Sequence, residues 1–189
     1  MKDETVKKDL ERSLKLVREK IKPIVEKLLP NWRLMQVEGK DDEVCKVLDM
    51  SCGIDYLLHS RESSQILGLS SRVQYEKNYR TFTVRKDRES GALTEYDKRR
   101  QSIYSGSIYP HYTMQAYIIG ENVEGLAVTK TTDLMNFIKE GHAYELKTKA
   151  DKIGQAEFYA CSWAKMKKYG YKVIEYAKET RRANENRDI

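Results

Sequence analysis

The fold prediction starts from two strand-like runs, GIDYLL at residues 53–58 and LSSRVQYE at residues 69–76. Side chains along a strand alternate between its two faces. One face of the second run therefore carries Arg72, Gln74 and Glu76. In the first run a single acidic residue, Asp55, lies among apolar neighbours, where a carboxylate is costly unless it is paired, hydrogen-bonded or bound to a cation. The two runs predict a strand pair on which Asp55, Gln74 and Glu76 form one polar cluster.

Hydrophobic periodicity predicts helices and strands in the rest of the chain. Apolar residues recur at three- and four-residue steps from Val6 to Leu28, which is typical of a helix, and Pro30 ends it. The predicted strands are 32–37, 43–48, 54–58, 65–69 leading into 71–75, 79–84, 112–119 and 125–129. Further helices are predicted at 92–104, at 132–138 with Thr132 or Asp133 as its cap, and at 173–187, with a loop at 85–91. The strands before residue 85 are expected to form a mostly antiparallel meander with Asp55 in a central position.

The chain is predicted to be a single domain over residues 1–189, with an N-terminal helix and a charged C-terminal helix. A length of 189 residues is enough for one domain with a sizeable core, and no stretch has the composition of a linker. The expected fold class is α+β (α/β), with a mixed central β-sheet flanked by helices.

Charge and cysteine content narrow the class of partner and the cellular compartment. Lys and Arg total 35 against 29 Asp and Glu, which gives a net charge of +6 and a pI near 9.0 and favours polyanionic partners. Cys45, Cys52 and Cys161 are an odd number without close pairing, and the histidines show no ligand-like spacing to them, so a structural zinc is not expected. Neither a signal peptide nor a bilayer-length apolar run is seen in the sequence, so we expect a cytoplasmic protein that does not bind membranes.

The arrangement around Asp55 combines three features: an Asp on the first strand of a hairpin, a same-face polar pair on the next strand, and a helix before and after them. This combination resembles the PD-(D/E)XK, or restriction-endonuclease-like, nuclease superfamily. The order of predicted elements resembles the family over about residues 5–120. The sequence motif resembles it only around Asp55 and Gln74. The resemblance implies a restriction-endonuclease-like core. Segments 53–55 and 71–74 also resemble small phage-encoded proteins.

The resemblance implies a metal-dependent catalytic site. By position, Asp55 takes the place of the metal-binding Asp, Gln74 the first position of the pair and Glu76 the second. These three residues are then the catalytic group, and Asp55 and Glu76 hold Mg²⁺ or Mn²⁺. The chain departs from the family pattern in two ways, because Gln is a weaker metal ligand than a carboxylate and Glu76 stands where Lys is usual.

Two alternatives remain open for Asp55. In a second register, Arg72 takes the first position of the pair and Gln74 the last, which leaves one carboxylate in the site. The preceding predicted strand offers Lys46 and Asp49 to supply what is missing. In the other alternative, Asp55 has a structural role and accepts hydrogen bonds from Arg72 or Arg80.

Basic residues near the predicted site are expected to contact nucleic-acid phosphates. They are Arg72, Lys77, Arg80, Arg85, Lys98, Arg99 and Arg100. The run from Glu95 to Arg100 is alternatively a solvated helix face with ion pairs three and four residues apart. Most of the thirteen tyrosines are expected to be half-buried in the sheet, and stacking on bases stays open for those near residues 85–100.

Two functions follow from these observations. The first is a metal-dependent endonuclease that hydrolyses phosphodiester bonds in DNA, which the apolar surroundings of Asp55 favour. The second is a non-catalytic nucleic-acid-binding or inhibitory protein with the same fold, which the missing Lys favours. A homodimer is expected for double-strand cleavage but not for nicking. The sequence contains no glycine-rich phosphate loop, nucleophile elbow or paired Cys/His signature, which argues against a small-molecule enzyme.

Overall fold

The computed structural model describes residues 14–75, 77–88, 91–147 and 156–177. The strands in this part of the chain are β1 Trp32–Gln36, β2 Tyr56–Ser60, β3 Ile66–Tyr75, β4 Thr81–Arg88, β5 Tyr112–Ile119, β6 Asn122–Lys130, β7 Tyr144–Lys147, β8 Ala156–Ser162 and β9 Val173–Ala177. The α-helices in the same part are α1 Lys22–Leu28, α2 Glu43–Lys46, α3 Glu95–Ser105, α4 Thr131–Lys139 and α5 Trp163–Lys168. A π-helical turn, Val17–Ile21, precedes α1, and a second one, Val47–Ser51, follows α2. The predicted α+β class is confirmed.

The strands form two sheets. The larger sheet has the order β1-β2-β3-β5-β6-β9 and the smaller one the order β4-β8-β7. In the larger sheet β1, β2 and β3 form an antiparallel meander, β5 runs parallel to β3, and β6 and β9 continue in antiparallel fashion. A parallel pair requires a crossover connection, and the chain between β3 and β5 contains β4 and α3. The larger sheet is therefore mixed, as predicted.

One face of the larger sheet packs against the N-terminal helical segment. Ile21 and Val25 of that segment are fully buried, and so are Leu58 on β2 and Leu69 on β3. Val73 packs against the same cluster from further along β3. Because side chains alternate along a strand, the intervening positions of β2 and β3 face the opposite side of the sheet, where the candidate site lies.

The opposite face of the sheet contributes to a second apolar cluster. Tyr117 of β5 is fully buried there against Phe82 of the smaller sheet, Trp163 of α5 and Leu134 of α4. The Tyr117 hydroxyl donates a hydrogen bond to the carbonyl of Thr81 at 2.7 Å. A buried phenol needs such a partner, and this bond joins the larger sheet to the start of β4.

The strand predicted at residues 43–48 is wrong, because these residues form α2 and the beginning of the π-helical turn. Asp42 accepts a hydrogen bond from the Cys45 N–H at 3.1 Å and so caps the first turn of α2. Val44 and Val47 are largely exposed. The run of apolar residues is typical of a strand, but in the structure it is helical and pairs with neither of the two sheets.

The prediction that β4 extends the meander is also wrong, because β4 pairs with β8 in the smaller sheet. The turn before β4 redirects the chain: Arg80 has a φ of 50°, and its N–H donates to Asn78 Oδ1 at 3.0 Å. The loop predicted at residues 85–91 is wrong as far as Arg88, which still belongs to β4.

The C-terminal helix predicted at residues 173–187 is replaced by strand at its start, since Val173–Ala177 form β9 and pair with β6. The remainder of that prediction, and residues 6–13 of the predicted first helix, lie outside the described residues. Helix α4 forms as predicted, but its N-cap position is Lys130 and has no side-chain cap bond, so neither Thr132 nor Asp133 caps it.

Candidate active site

A cavity of about 290 Å³ lies where β2 begins, beside the middle of β3. The π-helical turn Val47–Ser51 and helix α3 complete its lining. The charged residues that line it are Asp49, Asp55, Arg72, Glu95, Lys98 and Arg99. Helix α3 supplies Glu95, Lys98 and Arg99, whereas Asp49 comes from the π-helical turn and Arg72 from β3.

Asp55 is held at the junction of three strands. Its N–H donates to the carbonyl of Leu69 at 3.1 Å, and its own carbonyl accepts from the N–H groups of Val37 at 3.0 Å and Glu38 at 2.9 Å. Its carboxylate accepts a short hydrogen bond from the Ser71 N–H of β3. Backbone contacts therefore fix both the position and the direction of this side chain.

The surroundings of Asp55 disfavour its negative charge. The pKa of Asp55 is raised to about 7. Burial is the main cause and the nearby carboxylates of Glu38 and Asp49 add to it, while the bond from Ser71 and the charge of Arg99 oppose the shift. The pKa of Glu38 is raised by burial and by Asp49, and that of Asp49 by burial. Three carboxylates thus share a region in which their charges are not fully compensated, a condition that a bound cation relieves.

The basic group of the cavity is organised around Glu95. Arg99 donates to Glu95 Oε1 at 2.5 Å, and Arg72 donates to Glu95 Oε2 at 2.8 Å. The N–H of Arg85 also donates to Glu95 Oε2, at 3.2 Å. Burial by itself would raise the pKa of Glu95, but Arg99, Arg72 and the Arg85 N–H outweigh it and lower that pKa. Glu95 is therefore an ionised anchor that orients two guanidinium groups.

Arg99 is buried, with about 4% of its surface exposed. One of its terminal nitrogens, Nη2, donates to Ser70 Oγ at 2.6 Å in addition to its contact with Glu95. The other, Nη1, is buried and has no hydrogen-bond partner among the described residues. A buried donor left unpaired is costly, and this one belongs to a residue that lines the cavity.

Lys98 connects helix α3 to the other side of the cavity. Its Nζ donates to the carbonyl of Met50 at 2.9 Å, which ties α3 to the π-helical turn that carries Asp49. The helix itself begins with a capping box, in which Thr94 and Asp97 exchange bonds. The cap sets the first turn of α3, and hence the positions of Glu95, Lys98 and Arg99 at the cavity.

The carboxylate group suits a hard divalent cation that keeps part of its water shell. Among the described residues, no three His, Cys, Asp or Glu side chains are grouped closely enough to hold a metal ion by themselves. Mg²⁺, however, usually retains several waters and is bound through one or two carboxylates. Asp55 and Asp49, which both line the cavity, supply a donor set of that kind.

The predicted cluster of Asp55 with Gln74 is not formed. Gln74 lies four positions beyond Ser70 on β3, where it lines a different cavity and accepts a hydrogen bond from Gln115 Nε2 at 3.4 Å. Glu76 lies outside the described residues. The second register fails for the same reason, since Arg72 reaches the site cavity and Gln74 does not. Asp49 does line that cavity, although from a helical turn and not from a strand.

The alternative in which Asp55 accepts hydrogen bonds from Arg72 or Arg80 is wrong. Arg72 pairs with Glu95, and Arg80 pairs with Glu175, so neither arginine is the ion-pair partner of Asp55. Lys46, which was predicted to supply a missing group of the site together with Asp49, pairs with Asp41 at 2.5 Å instead.

The predicted phosphate-binding residues do not share one surface. Arg72, Lys98 and Arg99 line the site cavity. The others lie elsewhere: Lys77 beside the ring of Tyr79, Arg80 beside Glu175, Arg85 over Phe158, and Arg100 over Tyr96 in a separate cavity between α3 and α4.

Glu38 and Glu95 contribute to the site in ways that the sequence pattern does not predict. The ion pair four residues apart that the solvated-face alternative predicts is formed between Glu95 and Arg99, but it is largely buried, and Glu95 lies between two arginines at the cavity. Its signal in the sequence is the capping box at Thr94 and Asp97, which places residue 95 in the first helical turn. Glu38 lies two positions after the end of β1, and the pairing of β1 with β2 brings it near Asp55.

Comparison of the chain with protein-family models, with characterised proteins and with solved structures found no match. Within the described residues, no helix has both the length and the apolar character needed to cross a membrane.

Proposed function

We propose that this protein is a metal-dependent nuclease that hydrolyses phosphodiester bonds at the cavity around Asp55. One observation carries the proposal: partly uncompensated carboxylates and a buried arginine with an unpaired nitrogen line the same cavity. A phosphodiester with a divalent cation beside it has the matching charges, because the cation fits the carboxylates and the phosphate oxygens fit the guanidinium.

The topology around the cavity also supports the proposal. A helical segment precedes the antiparallel meander β1-β2-β3, and helix α3 then leads to β5, which runs parallel to β3. Asp55 stands at the start of the middle strand of the meander. This is the arrangement of helix, hairpin and following helix that the PD-(D/E)XK resemblance implies, and on it we base the inference of a restriction-endonuclease-like core.

The roles of the residues follow from their contacts. Asp55 and Asp49 would hold the ion, and Mg²⁺ or Mn²⁺, when bound, supplies charge neutralisation at the phosphoryl oxygen and a lowered pKa for the attacking water. Arg99 offers its unpaired Nη1 to a phosphate oxygen, and Lys98 adds positive charge at the rim. Glu95 keeps Arg99 in place without neutralising the whole cavity, since Arg72 shares its carboxylate.

The test compares Asp55→Asn and Asp49→Asn with the wild-type protein. Supercoiled plasmid and single-stranded DNA are incubated with Mg²⁺, Mn²⁺ or EDTA. We expect nicking or strand cleavage that depends on the metal and falls by at least about 100-fold in Asp55→Asn, because such a loss is usual when a group acting in the transition state is removed. Asp41→Asn is the matched control, since the Asp41 carboxylate is 97% exposed and remote from the cavity lining.

A second readout does not depend on activity. Mg²⁺ alone should raise the thermal midpoint of the wild type and of Asp41→Asn, because a ligand that binds only the folded state stabilises it. The midpoint of Asp55→Asn should not respond. Cleavage that persists unchanged in Asp55→Asn, together with an equal Mg²⁺ response in all three proteins, would exclude this site.

The absence of Lys from the family position favours a second candidate, a non-catalytic nucleic-acid-binding or inhibitory protein. In this candidate Arg72 and Arg99 bind phosphates without hydrolysis. It predicts DNA binding that weakens steeply with salt and no cleavage with either metal.

We further infer that the nuclease acts on DNA in the cytoplasm. Cys45, Cys52 and Cys161 are free thiols, as expected in a reducing compartment. A homodimer is required only if both strands of a duplex are cut. Sedimentation of the protein with and without duplex DNA tests this assembly.

A further inference from the structure

A second cavity, of about 680 Å³, lies between the two sheets beside the candidate site. We call it the inter-sheet groove. The residues that define it are Arg72, Gln74, Tyr79, Tyr144, Leu146 and Phe158. Its volume falls in the range of roughly 300–1,000 Å³ that is usual for binding pockets.

The groove exposes aromatic and apolar side chains. Tyr79 is 53% exposed, Tyr144 55% and Leu146 49%, and Phe158 is half-buried. Exposed apolar side chains that line one groove are typical of binding surfaces. The three aromatic rings come from the turn before β4, from β7 and from β8, so the smaller sheet supplies one wall of the groove.

Among the described residues, two cationic side chains line the groove, Arg72 and Lys147, and they pair with Glu95 and Glu157, which lie outside its lining. The guanidinium groups of Arg72 and Arg85 each lie 5.4 Å from the centre of the Phe158 ring, and Lys77 Nζ lies 5.1 Å from that of Tyr79. None of the described residues that line the groove is Asp or Glu. Aromatic rings with cations beside them suit a polyanion that carries flat apolar groups.

The groove is continuous with the candidate site through one residue. Arg72 lines both the site cavity and the groove, and strand β3 runs from one to the other. Ser70 lies at the site, and Gln74, four residues on, lies in the groove, a separation of about 13 Å along a strand. A chain molecule whose phosphate occupies the site therefore has its next units within reach of the groove.

We propose that the inter-sheet groove binds the unpaired bases of single-stranded nucleic acid next to the phosphodiester held at the site. The inference rests on the proposed nuclease function and specifies its substrate class. In a duplex the faces of the bases are stacked on one another and are not available to aromatic side chains, whereas unpaired bases stack freely on them. Tyr79, Tyr144 and Phe158 supply the rings, and Gln74 supplies an amide that can hydrogen-bond to base edges.

Binding is measured by fluorescence anisotropy in EDTA, so that no cleavage occurs. The probes are labelled oligo-dT, oligo-U and a DNA duplex of the same length, all at one salt concentration. We expect either single-stranded probe to bind more tightly than the duplex. Tyr144→Ala and Tyr79→Ala should each weaken single-strand binding by about 5- to 150-fold, the usual range for the loss of one base–aromatic stack.

Two control variants separate the loss of stacking in the groove from the loss of any exposed tyrosine. Tyr144→Phe retains the ring and should bind as the wild type does, because stacking uses the ring face. Tyr104→Ala removes an equally large tyrosine that is 75% exposed and lies outside the groove, and it should leave binding unchanged. All three tyrosines are exposed, so thermal unfolding of each of the four variants is enough to check that it folds.

Several outcomes would overturn the proposal: tighter binding of the duplex, unchanged binding in both groove variants, or a loss that is equal in Tyr104→Ala. Failure of the proposed nuclease function can be distinguished from failure of the groove proposal. If the groove variants weaken single-strand binding while the wild type never cleaves with Mg²⁺ or Mn²⁺, the groove assignment stands and the nuclease assignment falls. If cleavage depends on Asp55 but the groove variants bind single strands as tightly as the wild type does, the nuclease assignment stands and the groove assignment falls.

Discussion

Replacing Asp55 with Asn should stabilise the protein at neutral and alkaline pH. The pKa of Asp55 is raised from the ordinary 3.8 to about 7, first by burial and then by Glu38 and Asp49. Between these two pH values the folded state binds more protons than the unfolded state, so the stability of the wild type falls as the pH rises through this window. Asn carries no charge and can still accept the hydrogen bond from Ser71, so Asp55→Asn avoids this loss.

The magnitude follows from the width of the window. The roughly three pH units between 3.8 and 7 correspond to at most about 4 kcal/mol, at about 1.4 kcal/mol per unit. The free energy of unfolding of the variant should therefore equal that of the wild type near pH 4 and exceed it increasingly up to pH 8. Partial access of water to the half-buried carboxylate makes about 4 kcal/mol an upper limit.

Urea unfolding followed by tryptophan fluorescence, at pH 4 to 8.5 in EDTA, measures the difference. Trp163 is buried in the second apolar cluster and reports on its loss. Asp41→Asn removes the same charge from a fully solvated position and should show no pH-dependent gain. A difference between Asp55→Asn and the wild type that is constant over the whole range, or that favours the wild type at pH 8, would refute the account of Asp55 given above.

Two further predictions concern the acidic group and helix α3. Glu38→Gln should lower the pKa of Asp55, because one neighbouring negative charge is removed; an NMR titration of the Asp55 carboxyl carbon measures this, and an unchanged midpoint would place Glu38 too far away to matter. Thr94→Ala should lower the free energy of unfolding by about 1 kcal/mol, because its hydroxyl bonds to Asp97 at both the N–H (3.3 Å) and the carboxylate (2.7 Å). Urea unfolding measures that loss. Thr94→Ser keeps the capping hydroxyl and should have nearly the stability of the wild type; an equal loss in both variants would show that the methyl group, and not the cap, is responsible.

Much of the fold could be predicted from local patterns. Strands β1, β2, β3, β5 and β6 and helices α3 and α4 form close to the predicted positions, because their periodicity reflects faces that pack on a core. Residues 43–48 were mispredicted because an apolar run is typical of a strand when its burial is unknown. In the structure Asp42 caps a helix that begins at Glu43, and the valines of that run are exposed.

The candidate site was predictable only in part. Asp55 stands out in the sequence because it is an acidic residue in an apolar run, and the structure places it at a cavity. Gln74 was predicted beside it from the two-residue period, which identifies a face of β3 but not a position along it. The pairing of Tyr56 with Leu69 sets that position and brings Ser70 and Ser71, not Gln74, level with Asp55.

The sequence by itself determined which strand residues alternate, that a helix covers most of residues 92–104, and which carboxylate lies among apolar neighbours, since these depend on residues close together in the chain. Only the tertiary structure decided the partners of that carboxylate and of the arginines. Arg72 meets Glu95 across 23 residues, and Asp55 meets Ser71 across 16. Such contacts depend on strand register and on the path of α3 over the sheet, and these are set by how the apolar faces of the whole chain pack together.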